Sequence, residues 1–399
     1  MLERILDDSY PAVVRRVVVP LTLARLTTNA VYRFAPPFLA TIARGLDVDL
    51  ADLGVALALT EAAGLTSPVV GRLVDRVPRR RAMVGDLVGI AAGAFLAGAS
   101  AGIVMFAAGL LLLALAKIVF DVGLISWTAD HVPYERRGRV VGIIETSWAL
   151  GLLIGVTSLG LVAAATSWRW SYVVGAVAVV AAAGMLIARL DAEPVASSRH
   201  GRDAAVATRL RPSGWAAVVA LFGLMAAAQS VFVTFGPWLE DVFGVGTAGL
   251  AAVTFGIGAL ELMASSTSAA RTDRWGKERS VVRGTTVMIP CGLLLAVFDD
   301  QLAVGLLALG LFIAAFEFSI VSVIPIGAEL VPGAAGRGIG TMIACGTIGR
   351  AVTAIPATRL YERFGMAPAA VLGVACAALA GAAMLTRQRL LSVELAAAG

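Results

Sequence analysis

The chain has 399 residues, of which 59% are hydrophobic and only 15% charged, and its mean hydropathy is +0.87. A soluble domain carries about 25% charged residues, so this composition excludes a protein wetted on all sides. The net charge of +5 and the pI near 9.5 reflect topology rather than nucleic-acid binding, because the basic residues sit in short loops between apolar runs.

Those runs are about twenty residues long, the length that crosses a hydrocarbon core of roughly 30 Å. Lipid offers the backbone no hydrogen-bond partner, so such segments satisfy themselves as helices. The ten-residue alternation of a membrane barrel is absent. In chain order, spans are expected at 17–40, 51–71, 83–101, 105–129, 140–164, 171–189, 214–238, 247–270, 281–298, 302–328, 338–357 and 366–386. The first carries Arg25 and Asn29 and ends without a small-residue cleavage site, so it is expected to stay as a span. The connections alternate in charge. One set holds Arg72, Arg76 and Arg79 to Arg81, then Arg136, Arg137 and Arg139, then Arg271, Arg274, Lys277, Arg279 and Arg283. The other holds Asp47, Asp49, Glu240, Asp241, Asp299 and Asp300. Positive charge stays inside, which puts the first set and both termini in the cytoplasm and the protein in the cytoplasmic membrane. Two termini on one side require an even number of spans, in keeping with twelve.

Residues 190–213 break the apolar pattern with a polar stretch containing Asp191, Glu193, Arg199, Arg202, Arg209 and Arg211, and read as a cytoplasmic linker. The blocks on either side, 1–189 and 214–399, resemble each other. Asp75-Arg76 recurs as Asp273-Arg274, Val132-Pro133 as Val331-Pro332, Arg137-Gly138 as Arg337-Gly338, and Gly142 and Gly151 as Gly340 and Gly349. Repeats of equal orientation imply two six-helix bundles related by an axis along the membrane normal. The expected fold is therefore an all-α membrane protein of twelve helices in two pseudo-symmetric bundles.

The loop after the second span reads Gly71-Arg72-Leu73-Val74-Asp75-Arg76-Val77-Pro78-Arg79-Arg80. It is similar to the signature loop of the major facilitator superfamily, with Pro78 standing where that family usually has glycine. The second copy, at Asp273, Arg274, Gly276 and Lys277, is degenerate. The resemblance covers essentially the whole chain and implies a transporter in which Gly71, Asp75, Arg76, Arg79 and Arg80, completed by Asp130, gate the cytoplasmic side. Gly142, Gly151 and Gly155 have the spacing of the family's antiporter motif, although Val156 replaces its proline. The same spacing also lets two helices simply approach closely. Lys117 stands where a proton-coupling motif of the family has arginine, and Phe120 where it has glutamine.

An ionisable side chain in hydrocarbon costs about 2.5–3.5 kcal/mol or more, so each needs a reason. A rise of about 1.5 Å per residue puts Glu61, Lys117 and Arg350 near the midplane. Arg25, Asp121, Glu145, Glu261 and Glu317 then fall in the cytoplasmic half, and Arg33 falls at the outer end of its helix, where snorkelling beside an interfacial Tyr32 is expected. Arg25, Asn29 and Arg33 share one helix face, as do Lys117 and Asp121. The resemblance implies that the first, fourth, seventh and tenth helices line a cavity, so Arg25, Asn29, Lys117, Gln229, Glu317 and, from the eleventh, Arg350 are the substrate candidates. Asp121 and Glu61 are the proton-coupling candidates, while Glu145 and Glu261 are read as structural. The competing reading makes all of these charges structural pairs between packed helices.

The function expected is secondary transport of a small molecule by alternating access, with protons as coupling ion and export as direction. Uptake of a small, perhaps anionic, metabolite by proton symport competes with it, as does lipid or lysolipid translocation. No nucleotide loop or nucleophile motif is present. His131, His200 and the three cysteines lack metal spacing. Neither an enzyme nor a cofactor, a metal or a nucleic-acid partner is therefore expected. Both halves of the pathway lie in one chain, so a monomer in the bilayer is expected to suffice.

Overall fold

The computed structural model describes residues 6, 10–67, 70, 77–132, 137–191, 210–331 and 335–396. Among them the chain is helical, with no β-strand. The first pass is built from α1 (Ala12–Arg33), a 3-10 turn at Pro36–Phe38 and α2 (Leu39–Leu46). The second begins with α3 (Leu50–Ala62) and a 3-10 turn at Ala63–Thr66. The third and fourth are α4 (Arg79–Gly98) and α5 (Ile103–His131). The fifth joins α6 (Arg137–Leu150) through a π turn, Gly151–Val156, to α7 (Thr157–Ala165), and the sixth is α8 (Trp168–Arg189). The seventh comprises α9 (Pro212–Phe232) and α10 (Phe235–Phe243). The last five are α11 (Thr247–Trp275), α12 (Lys277–Val297), α13 (Leu302–Glu329), α14 (Ala335–Phe364) and α15 (Met366–Ala396). The chain thus makes the twelve helical passes expected of it.

Nine of the described helical stretches are long and apolar enough to cross a membrane by length and composition. The other three owe their lower hydropathy to polar loads or breaks. Helix α1 carries Arg15, Arg16, Arg25 and Arg33, α3 ends in its 3-10 turn after 13 residues, and α14 holds Arg350, Arg359 and Arg363.

The repeat is visible in the helix breaks. Pro36 and Pro37 interrupt the first pass and Gly236-Pro237 falls at the start of α10, because a proline nitrogen cannot join the helical ladder. Each short second helix then closes on a left-handed residue, Asp47 at φ 56° and Gly244 at φ 62°. The backbone N–H of Asp47 reaches back to Ala43 O, and that of Gly244 reaches Glu240 O at 3.0 Å. Gly276 and Gly365, at φ 83° and 79°, turn the chain between successive helices in a single residue. The first pass therefore runs on beyond residue 40, as a broken helix ending at Leu46.

Two compact units emerge. One comprises Met1–Asp47, Thr66–Arg199 and Gly246–Gly258, and the other comprises Val48–Leu65, His200–Val245 and Ala259–Gly399. In the first, a Cβ at Gly93 would strike the backbone of Gly109 and Leu113, and one at Gly109 would strike Gly93 and Ala97, so α4 and α5 pack almost backbone to backbone. In the second, α3 lies along α14, where Gly54 faces Thr358 and Gly64 faces Thr347. The Ala51 N–H there donates to Glu362 Oε1 at 2.7 Å. Hydroxyls inside the passes are satisfied locally, as where Thr22, Thr128 and Thr60 donate to the carbonyls of Val18, Leu124 and Ala56.

Candidate functional site

In the first unit the site grows from one face of α1. Its four-residue spacing points Arg25, Asn29 and Arg33 at the fifth pass, and each finds an acceptor there. Arg25 Nη1 donates to Ile144 O at 3.4 Å, Asn29 Nδ2 to Ser147 O at 3.1 Å, and Arg33 Nη1 to Trp148 O at 2.9 Å. The π turn Gly151–Val156 follows directly, and its glycines let the two passes meet. A Cβ at Gly151 would strike Asn29, and one at Gly155 would strike Ala30. Gly142 has no neighbour within 4 Å. Two of the three motif glycines therefore serve close approach. Gly155→Leu is expected to destabilise the protein by about 1–3 kcal/mol through overpacking, with Gly142→Ala nearly silent. Thermal unfolding followed by size-exclusion chromatography checks the contrast.

Arg25 is the hub. Its Nε lies 3.2 Å from Asp121 Oδ1 and its Nη1 2.9 Å from Glu145 Oε1, while Lys117 Nζ holds the other Asp121 oxygen at 2.7 Å. Two cations thus face two carboxylates in a compensated cluster. The Arg25 and Lys117 side chains are only 12% and 6% exposed, against 28% for Asp121 and 49% for Glu145. The planar arginine fork serves two acceptors at once, which a lysine in its place would not do. Lys117 also stands 5.6 Å from the Tyr32 ring centroid, within cation–π reach.

Two expectations need correction here. Arg33 does not snorkel to an outer surface. It is buried, donates to Trp148 O, and stacks its guanidinium 4.4 Å from the Trp148 ring, so the fifth pass supplies the polar and aromatic partners that an interface would have offered. Nor is Tyr32 an interfacial anchor, since its ring faces Lys117 within the unit.

The second unit holds the other candidates. Arg350, on α14, donates from Nε to Gln229 Oε1 at 3.0 Å, and its Nη2 lies 2.8 Å from Glu61 Oε1. Three passes thereby meet at one guanidinium, and Glu61 and Gln229 are both buried. Glu317, on α13, is likewise buried and accepts from Ser265 Oγ at 2.6 Å. One turn further on, Ser268, Thr272 and Ser322 form a closed triangle of hydroxyls with edges of 2.8 to 3.0 Å. Serine and threonine at 265, 268 and 272 recur at helical spacing along one side of α11, a signal passed over in the sequence because none of them is charged.

Asn29 and Gln229 occupy matching places on α1 and α9. Each amide is tied at one end and leaves the other buried without a partner, Oδ1 of Asn29 and Nε2 of Gln229. Their hydrogen bonds fix which end is which. The first unit thus offers an unused acceptor and the second an unused donor.

Of the signature loop, residues 71–76, with Gly71, Asp75 and Arg76 among them, lie outside the described residues. The rest is placed in the first unit: Arg79 Nε lies 3.0 Å from Asp130 Oδ2, and Arg80 Nη2 donates to Ile187 O at 2.7 Å. The Arg79–Asp130 pair joins the start of α4 to the end of α5.

The family model described as Major Facilitator Superfamily matches residues 21–354. An uncharacterized MFS-type transporter of Bacillus subtilis, YwfA, is 26% identical over 160 residues, which is 38% of this chain and 39% of that protein. The aligned stretch thus spans about two fifths of that relative. Among solved structures, a bacterial homolog to the human lysosomal transporter Spinster, in an inward-facing and unoccupied conformation, has a TM-score of 0.78 at 12% identity, covering 95% of this chain and 98% of that one. The human organic anion transporter MFSD10 (TETRAN) has a TM-score of 0.69 at 18% identity, covering 93% and 99%.

Proposed function

The chain belongs to the Major Facilitator Superfamily, and on that premise we propose that this membrane transporter exports a small molecule by alternating access in exchange for protons. It works as a monomer in the cytoplasmic membrane with both termini inside. The observation that carries this reading is the Arg25–Asp121–Lys117 cluster with Glu145 beside it. Two cations and two carboxylates balance while all are charged. Adding one proton to Asp121 breaks that balance and frees Lys117 and one arm of Arg25 at once. A substrate or a conformational change then competes with a proton for the same groups, which is what coupling requires.

Everted vesicles carrying the protein, energised and then given pools of drugs and metabolites, test this. Proton efflux triggered by a pool in wild type and lost in Asp121→Asn is the expected result. Proton efflux unchanged in the variant removes Asp121 from the coupling role.

A second reading is supported by Arg350. Protonation of Glu61 would release a guanidinium already presented beside Gln229, a fork suited to a carboxylate or phosphate. Proton-coupled uptake of a small anion would use it, and the organic anion transporter among the structural neighbours is in keeping with that chemistry. Inward accumulation of a labelled anion driven by an imposed proton gradient would favour this reading over export.

A further inference from the structure

Asp86 is a carboxylate to which neither the signature motifs nor the charge clusters give a role. It lies eight residues into α4, about 10 Å along the axis from Arg79. The buried or clustered carboxylates inside the described passes are engaged: Asp121 and Glu145 by Arg25, Glu61 by Arg350, Glu317 by Ser265, and Glu261 by a partner of its own. Asp86 Oδ2 is sealed from solvent and has no hydrogen-bond partner. No cation among the described residues pairs with its carboxyl.

Its surroundings explain why. Gly89, one turn on, packs on Ala116, and Met83, one turn back, packs on Gly123, so Asp86 lies level with the stretch of α5 holding Val119 and Phe120. Contacts between Gly98 and Arg169 at one end, and Arg80 and Ile187 at the other, bring it level with the alanines Ala181 to Ala183 of α8. The charged groups on the packed elements are committed elsewhere. On α5, Lys117 and Asp121 hold each other, Asp130 holds Arg79, and His131 bonds Trp127 O. On α8, Arg169 donates to the carbonyls of Gly45 and Ser100, while Arg189 is exposed at the helix end. On α1, Arg16 pairs with Asp191, Arg25 sits in its cluster, Arg33 holds Trp148, and Arg15 also has a partner.

We propose that Asp86 is a proton-binding residue of the first unit, a carboxyl that takes up and releases a proton apart from the Arg25–Asp121–Lys117 cluster. Partly buried, with one oxygen sealed from solvent, this carboxylate has neither counter-ion nor donor, and the neutral acid removes that conflict. With no cation to displace, proton exchange there is free of the competition that governs Asp121. The link to transport rests on the proton-coupled reading above; the proton-binding claim does not.

Infrared difference spectra of the purified full-length protein, titrated from acid to alkaline pH, read the two separately. A carboxylic C=O stretch that fades as pH rises, is missing in Asp86→Asn and returns shifted in Asp86→Glu is the expected result. Spectra in which Asp86→Asn and wild type share every titrating carboxyl band overturn the proposal. If Asp86→Asn does not fold, the shift between wild type and Asp86→Glu decides alone. Vesicles of the same proteins supply the second arm. Wild type without substrate-driven proton movement, but with the Asp86 band, would sink the coupling mechanism and leave the proton site standing.

Discussion

Arg25→Gln is expected to lower stability by about 1–3 kcal/mol, the cost of leaving a partly buried and a half-exposed carboxylate short of their cation. Asp121 would keep only Lys117, and Glu145 would lose the partner seen 2.9 Å away. Three donor interactions vanish together, since the same fork also reaches Ile144 O. Glutamine cannot span these acceptors and carries no charge. The cluster's balance gives a sharper test than the single change. Glu145 is half exposed, so Glu145→Gln alone should cost little, about 0–1 kcal/mol. Combined with Arg25→Gln it restores one cation against one carboxylate, and the double variant should regain a substantial part of the lost stability. Thermal unfolding of the four proteins in detergent closes the cycle. Strict additivity would mean that Arg25 acts through packing rather than charge.

The passes were legible because their apolar length is written locally, and the repeat because its motifs are spaced alike in both blocks. Lys117 and Asp121 were legible as a pair for the same reason: four residues on one helix fix their distance. The partnership of Glu61 and Arg350 was not legible. It depends on α3 lying along α14, which no local spacing encodes. Arg33 was misread because its position in the span suggested an aqueous end, whereas the fifth pass supplies a carbonyl and an indole at that level. Asp86 went unnoticed because it falls close to the start of its expected span, where a charge looks like a border residue. The glycines of the fifth pass carried a real signal of close approach, though only Gly151 and Gly155 use it and Gly142 faces open space.

Arg350→Met is expected to equal or exceed Arg25→Gln in its effect, because Glu61 is the more deeply buried carboxylate and Gln229 Oε1 would lose its donor as well. Removing one partner of such a pair costs about 3–5 kcal/mol, while replacing both by apolar groups is often neutral or stabilising. The double variant Glu61→Met with Arg350→Met should therefore fold about as well as wild type. Arg350→Lys keeps the charge but not the fork, so it should hold either Glu61 or Gln229 and fall between the two. Transport separates structure from function in this series. If the trio only ties α3, α9 and α14 together, the double variant recovers transport along with stability. If Glu61 or Arg350 meets the proton or the substrate, the double variant is stable and inactive, which is the expected outcome. Unfolding temperature and vesicle transport measured on the same preparations decide it, since the first reports the pair's structural contribution and the second what the pair does when it opens.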